Sequence, residues 1–188
     1  MKYGDEEIVE LLNKYKKGVY GDVYSGFYIK EDLYHFVERS LFDGQVLVYL
    51  PIRFHIMSED EIKEKYKLVV PQLVYRNNQD TIQIMFNYTD KEYTADEVTS
   101  TIDIFENHMK KLNKGNKIIE KGVIENENNT IGWIDFITPL GRSSLYVKYF
   151  TLAVNNKNVN GQFVCEYINS SLWNPIFLEI LKSIKVKE

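Results

Sequence analysis

Four strand-like runs follow one another in the second half of this chain: KIIEKGVIE (117–125), TIGWIDFIT (130–138), SLYVKYFTLAV (144–154) and VNGQFVCEYI (159–168). Only ENENN, PLGRS and NNKN separate them. Each run is rich in β-branched and aromatic residues, and connections this short leave no room for a crossover helix. Strands joined in this way must lie antiparallel to one another in a meander. Any fold open to this chain is therefore built on an antiparallel sheet. TIQIMFNY (81–88) adds a half-buried strand, because Ile82, Ile84, Phe86 and Tyr88 alternate with Thr81, Gln83, Met85 and Asn87. The 14 Tyr of the chain suit such a sheet, since a ring packs while its hydroxyl stays wet.

Helical signals lie between and around these strands. DEEIVELLNKYKK (5–17) puts Ile8, Leu11, Leu12 and Tyr15 on one face, with acids in the first turn and lysines in the last, and Gly18 ends it. GVYGDVYSGFYI (18–29) reads as loop plus short strand, and EDLYHFVERS (31–40) as a second helix presenting Leu33, Phe36 and Val37. After an Asp43-Gly44 turn, QVLVYL forms a strand stopped by Pro51. Ser58 with Glu61, and Thr94 with Glu97, have the spacing of capping boxes that open helices. The second of these helices carries a narrow stripe of Val98, Ile102, Phe105, Met109 and Leu112. Asn174-Pro175 reads as an N-cap and first residue of a terminal helix burying Ile176, Phe177, Ile180, Leu181 and Ile184.

The chemistry that such a chain could carry is restricted. Net charge is −4, and neither half has the excess of Lys and Arg needed to neutralise phosphates, which excludes a nucleic-acid role. No long apolar run is present, so no membrane association and a cytoplasmic location are expected. A single cysteine, Cys165, leaves no intramolecular disulfide, and it falls on the apolar side of its strand. His35, His55 and His108 are far apart and lack companions at metal-ligand spacing, so neither a metal nor a cofactor is expected. Gly21 and Gly26 have P-loop spacing, but Phe27-Tyr28 stands where Lys-Ser/Thr must be. No catalytic residue is assigned.

Two candidate surfaces remain. Tyr20, Tyr24, Phe27 and Tyr28 are the anchors expected if the N-terminal segment binds a protein, because Tyr and Phe desolvate well at interfaces. Asp135, Arg142 and Glu166 are the residues that would line a ligand cleft if the chain instead bound a small molecule or acted as a weak hydrolase.

The order of elements, with LFDGQVLVYLP, MSEDEIKEKY, IQIMFNYTD, GWIDFITP and WNPIFLEILKSI, resembles the PsbP-like superfamily over about residues 41–186. That superfamily includes the extrinsic photosystem II protein, a Ran-GTPase-binding nuclear import factor and many small bacterial proteins, some of them adaptor chaperones. The resemblance implies an α+β fold in which an antiparallel sheet is flanked by helices on both faces, an αβα sandwich. It further implies binding to another protein rather than catalysis. The division expected is a helical and aromatic extension over 1–40 and a PsbP-like domain over 41–188. The function expected is a non-enzymatic interaction module, an adaptor or chaperone and a possible homodimer.

Overall fold

The computed structural model describes residues 19–29, 31–126 and 129–187. The helix expected over 5–17 lies outside the described residues. Among the described residues, thirteen strands and three α-helices follow one another, and every pairing between strands is antiparallel. The strands form three sheets.

The largest sheet contains the expected meander: β9 (Lys117–Asn126), β10 (Asn129–Leu140), β11 (Ser143–Val154) and β12 (Lys157–Glu166). β12 then pairs with β8 (Ile82–Glu92), which continues through β7 (Leu73–Arg76) to the short β6 (His55–Ile56), giving the order β6-β7-β8-β12-β11-β10-β9. The alternation read in 81–88 is observed, with Ile82, Ile84 and Phe86 buried. Rings contributed by three neighbouring strands, Phe86, Phe150 and Phe163, touch in sequence across the buried face, at 5.7 Å and 5.3 Å.

Two further sheets flank this one. β1 (Val19–Asp22), β2 (Gly26–Ile29) and β3 (Asp32–Tyr34) form an N-terminal three-stranded sheet. β4 (Phe36–Leu41), β5 (Val46–Pro51) and β13 (Lys185–Val186) form another, in the order β13-β5-β4. The helix expected over 31–40 is thus replaced by β3 and β4. Leu33, Phe36 and Val37 fit one helical face, but residues 36–41 pair along their whole length with 46–51, and that ladder decides the local conformation. QVLVYL is a strand as expected, but in this smaller sheet rather than the large one. The boundary expected between 40 and 41 falls inside the β4–β5 hairpin.

Helix α1 (Glu59–Lys65) has the full capping box. Ser58 Oγ accepts from the Glu61 amide at 3.4 Å, and Glu61 Oε2 accepts from the Ser58 amide at 2.8 Å. α2 (Glu97–Leu112) has half of one: Glu97 accepts from the Thr94 amide at 2.8 Å, but the Thr94 hydroxyl donates to the same carboxylate, and the helix starts one residue after Asp96. Val98 and Ile102 bury the start of its stripe and Phe105 stacks on Tyr149 at 3.9 Å, whereas Leu112 is exposed.

The terminal helix α3 (Ser170–Lys182) begins well before Asn174, and Pro175 sits inside it. Trp173 explains the earlier start. It lies three residues before Ile176 and continues the stripe of Ile176, Phe177, Ile180 and Leu181 into the core. Burying its ring offsets the hydrogen bond that Pro175 removes. α3 stacks Phe177 on Phe163 at 4.8 Å, and it also touches β1 and β5. One core cluster therefore joins the large sheet, α3 and residues of both smaller sheets.

Candidate functional site

The β1–β2 hairpin carries the sequence-expected anchors on a tightly constrained turn. Asp22 Oδ1 accepts from the amides of Tyr24 at 2.7 Å and Ser25 at 2.6 Å, and the Ser25 amide holds the Asp22 carboxyl below its ordinary range. Gly21 has φ +122°, and a Cβ there would lie 2.0 Å from the Gly26 carbonyl oxygen, so the two strands can approach this closely only at glycine.

The register then sorts the four aromatics. Tyr20 faces Tyr28 directly across the hairpin, and their rings stack at 4.9 Å on its outward side. Tyr24 at the turn is 67% exposed and meets the Tyr49 ring edge-on at 5.0 Å. Phe27 is a correction to the expected set. It points inward, is 3% exposed, and packs edge-on against Phe36. The outward surface is formed by Tyr20, Tyr24 and Tyr28, with Phe27 as its support from below.

A groove of about 480 Å³ runs between this hairpin and α3, walled by Val19, Tyr20 and Phe27 on one side and Pro175 and Leu178 on the other. The sequence held no sign of it, because the partners that form it are separated by most of the chain. Its signal, read backwards, is the half-buried Leu178 on the rim of the α3 stripe.

The alternative ligand residues are not brought together. Asp135 is wholly buried, whereas Arg142 in the β10–β11 turn and Glu166 at the end of β12 are exposed. In register, Asp135 is opposite Lys148 and Glu166 is opposite Leu145, so the two carboxylates leave opposite faces of the sheet. Paired-carboxylate chemistry needs both acids on one face. His35, His55 and His108 are all exposed, and among the described residues no group of three or more His, Cys, Asp or Glu side chains is placed to hold a metal. Cys165 is buried, and burial pushes its thiol up to about 12.

What Asp135 does join is a buried ion pair. Lys148 Nζ lies 2.6 Å from Asp135 Oδ1, both side chains are wholly buried, and the ammonium sits 3.8 Å above the Trp133 ring. The Tyr146 hydroxyl donates to Asp135 Oδ2 at 2.6 Å. Burial pushes the Asp135 carboxyl up and the Lys148 ammonium down, and each one's charge opposes the other's shift. The ion-pair contact is close but misaligned as a hydrogen bond, so Coulomb attraction and the ring face hold the ammonium in place. Lys148 was the residue missed. Its signal was parity: it shares a strand face with Tyr146, Phe150 and Leu152, which are all buried.

No family model matches this sequence, and no curated protein matches it. Solved structures do. Cyanobacterial PsbP (CyanoP) from Synechocystis sp. PCC 6803 superposes with a TM-score of 0.60, covering 81% of this chain and 92% of that one at 11% identity. The chain has a PsbP-like fold. LpqN of Mycobacterium tuberculosis, described as involved in cell envelope biogenesis, gives a TM-score of 0.54 over 85% of this chain and 95% of its own, at 8% identity. A Bacteroides thetaiotaomicron protein matches 80% of this chain with 48% of its length, at 8% identity and a TM-score of 0.50. At such identities the PsbP-like likeness is one of fold, and it transfers no activity. Among the described residues no helix is long and apolar enough to cross a membrane.

Proposed function

We propose that this chain is a non-enzymatic protein-interaction module, an adaptor or chaperone, built as an αβα sandwich. The sandwich reading is supported by two ring contacts. Phe105 of α2 stacks on Tyr149 and Phe177 of α3 on Tyr146, and residues three apart on a strand point to opposite faces. The contact surface proposed is the outward side of the β1–β2 hairpin.

The observation that carries the functional reading is the tyrosine trio on the hairpin, with Tyr24 and Tyr28 exposed and Tyr20 half-buried beside them. Tyr20 and Tyr28 form a pre-stacked pair, and Tyr24 stands beyond them on a turn fixed by Asp22. Tyrosines held in this way lose little freedom on binding and present both a ring and a hydroxyl, the combination enriched at the centres of protein interfaces. An adaptor needs nothing more of this fold, since Asp135 and the buried Lys148 are occupied with one another.

The test is capture with the full-length chain against its Tyr24→Ser/Tyr28→Ser double variant, followed by reconstitution of any recovered protein from purified components. The expected result is a partner that binds the parent chain and loses at least tenfold in affinity to the double variant, about the loss of one hot spot of 1.4 kcal/mol or more. Equal affinity for both forms would remove the hairpin from the reading.

A further inference from the structure

Burial sets Asp135 and Lys148 apart from every other ion pair among the described residues. Both of their side chains are wholly buried, whereas each of the other pairs keeps at least one partner in water. The two residues face each other directly across β10 and β11, on the side of the sheet where Tyr146 stacks on Phe177 of α3. The Trp133 ring lies 3.8 Å from the ammonium and rests against Gly122 of β9, where a Cβ would stand 2.9 Å from Trp133 Cζ2. Lys148 Nζ is 2.6 Å from Asp135 Oδ1 without the alignment of a hydrogen bond, and the Tyr146 hydroxyl donates to Oδ2 at 2.6 Å. A nucleophilic nitrogen is thus held against a carboxyl group whose other oxygen already has a donor on it.

We propose that Lys148 and Asp135 condense into an amide, a covalent cross-link between β10 and β11 that forms without a cofactor or a second protein. Lys148 Nζ attacks Asp135 Cγ, and an Nζ–Cγ bond forms. Oδ2 carries the negative charge that develops, and the Tyr146 hydroxyl donates to it there. Oδ1, the oxygen that Nζ already touches, takes the protons that the nitrogen gives up, and the Cγ–Oδ1 bond breaks. Oδ1 leaves as water and Oδ2 stays as the amide carbonyl. Counted from the ion pair, one ammonium and one carboxylate become one amide and one water, so no oxidant, reductant or activated acyl group is required.

The surroundings favour this reaction in three ways. Burial pushes the carboxyl up and the ammonium down, toward the neutral acid and amine that condensation uses. Burial also pushes the Tyr146 hydroxyl up, which keeps its proton in place as a donor. Water, the reagent of the reverse reaction, is kept from both groups, and contact within one sheet replaces an encounter in solution. For well-oriented groups that replacement is equivalent to a concentration of about 10⁵–10⁸ M. Until the bond forms, the two side chains act as the ion pair described above, so freshly folded chain reports the pair and aged chain the link.

The link is independent of the adaptor reading and is measured without any partner. Folded full-length chain is sampled over time, denatured, and weighed by intact-mass spectrometry. The expected result is a species lighter than the sequence by one water, which grows until it dominates. Trypsin then cuts after Lys121, Arg142 and Lys157, but not after a linked Lys148. Fragments 122–142 and 143–157 should therefore appear joined, with the branch located at Asp135 and Lys148 by fragmentation. Asp135→Ala should keep its full sequence mass. Tyr146→Phe, which keeps the buried ring, should slow the loss of water about a hundredfold, as removal of an oxyanion donor does, with circular dichroism reporting an unchanged fold.

A folded parent chain that keeps its full sequence mass after prolonged incubation would overturn the link. So would a loss of water that persists in Asp135→Ala, or one that maps within a single tryptic fragment, as ring closure of an aspartate onto its own backbone would. A Tyr146→Phe chain that loses water at the parental rate would remove Tyr146 from the chemistry.

Discussion

The large sheet and the N-terminal hairpin draw on the same aromatic stock and spend it in opposite ways. In the sheet, Phe86, Phe150 and Phe163 continue into Phe177 of α3 as one buried row of rings. In the hairpin, Tyr20 and Tyr28 stack just as closely, but on the outside, with only Phe27 turned inward. Charge divides in the same way. The sheet buries a lysine and an aspartate against each other, whereas the Asp22 carboxylate at the hairpin turn stays at the surface and shapes backbone. An abundance of aromatic residues therefore says little about a region's role. The side of the strand on which each ring falls says a great deal.

The contrast can be broken most forcefully at Lys148. Lys148→Met should destabilise the chain by about 3–5 kcal/mol in urea unfolding, because it leaves the Asp135 carboxylate buried without its partner. The Lys148→Met/Asp135→Leu pair should recover most of that loss, and a single-variant cost below about 1 kcal/mol would show that the sheet does not depend on buried charge. A smaller loss, about 1–3 kcal/mol, is expected for Gly132→Ala. The added methyl would lie 2.7 Å from both Ile102 Cγ1 and Val98 Cγ1 and push α2 off the sheet. Thermal unfolding that leaves Gly132→Ala at the parental midpoint would mean that α2 rests loosely there.

Ser58→Ala should cost about 1 kcal/mol, the value of one helix cap, and the loss should be read by chemical denaturation. The smallest stability effect belongs to the hairpin. Tyr24→Ser should change stability by less than about 0.5 kcal/mol, since most of its ring is already in water, while weakening any partner bound at the tyrosine surface. A larger loss of stability would place Tyr24 with the sheet's rings, as a structural residue, and would erase the distinction between the two regions.

Legibility followed the range of the interactions. The meander from 117 to 166 was readable because its strands alternate and its connections are short, so local pattern and final pairing agree. The Ser58–Glu61 box was readable for the same reason. Residues 31–40 misled because Leu33, Phe36 and Val37 satisfy a helical stripe, while the strand that they form depends on a partner beyond the Asp43-Gly44 turn. Pro175 misled because its usual place at a helix start was overridden by Trp173, whose burial lies outside any local rule. At the candidate site, the aromatic hairpin was visible as a cluster, but the separation of Phe27 from the three tyrosines required the Tyr20–Tyr28 register. The groove against α3 was not readable at all, since one wall is at the start of the described chain and the other near its end.

β13 has a consequence for how this protein comes into being. Lys185 and Val186 form the edge of the small sheet by pairing with Leu47 and Val46, which are synthesised long before them. A ribosome delivers the chain from the N-terminus, so the outer hydrogen-bonding side of β5 waits bare until residues 185 and 186 have emerged. The Ser183 hydroxyl, which accepts from the Tyr49 amide at 3.1 Å, arrives equally late. Nascent chains of this protein therefore carry an open β edge over the more than one hundred residues between β5 and β13.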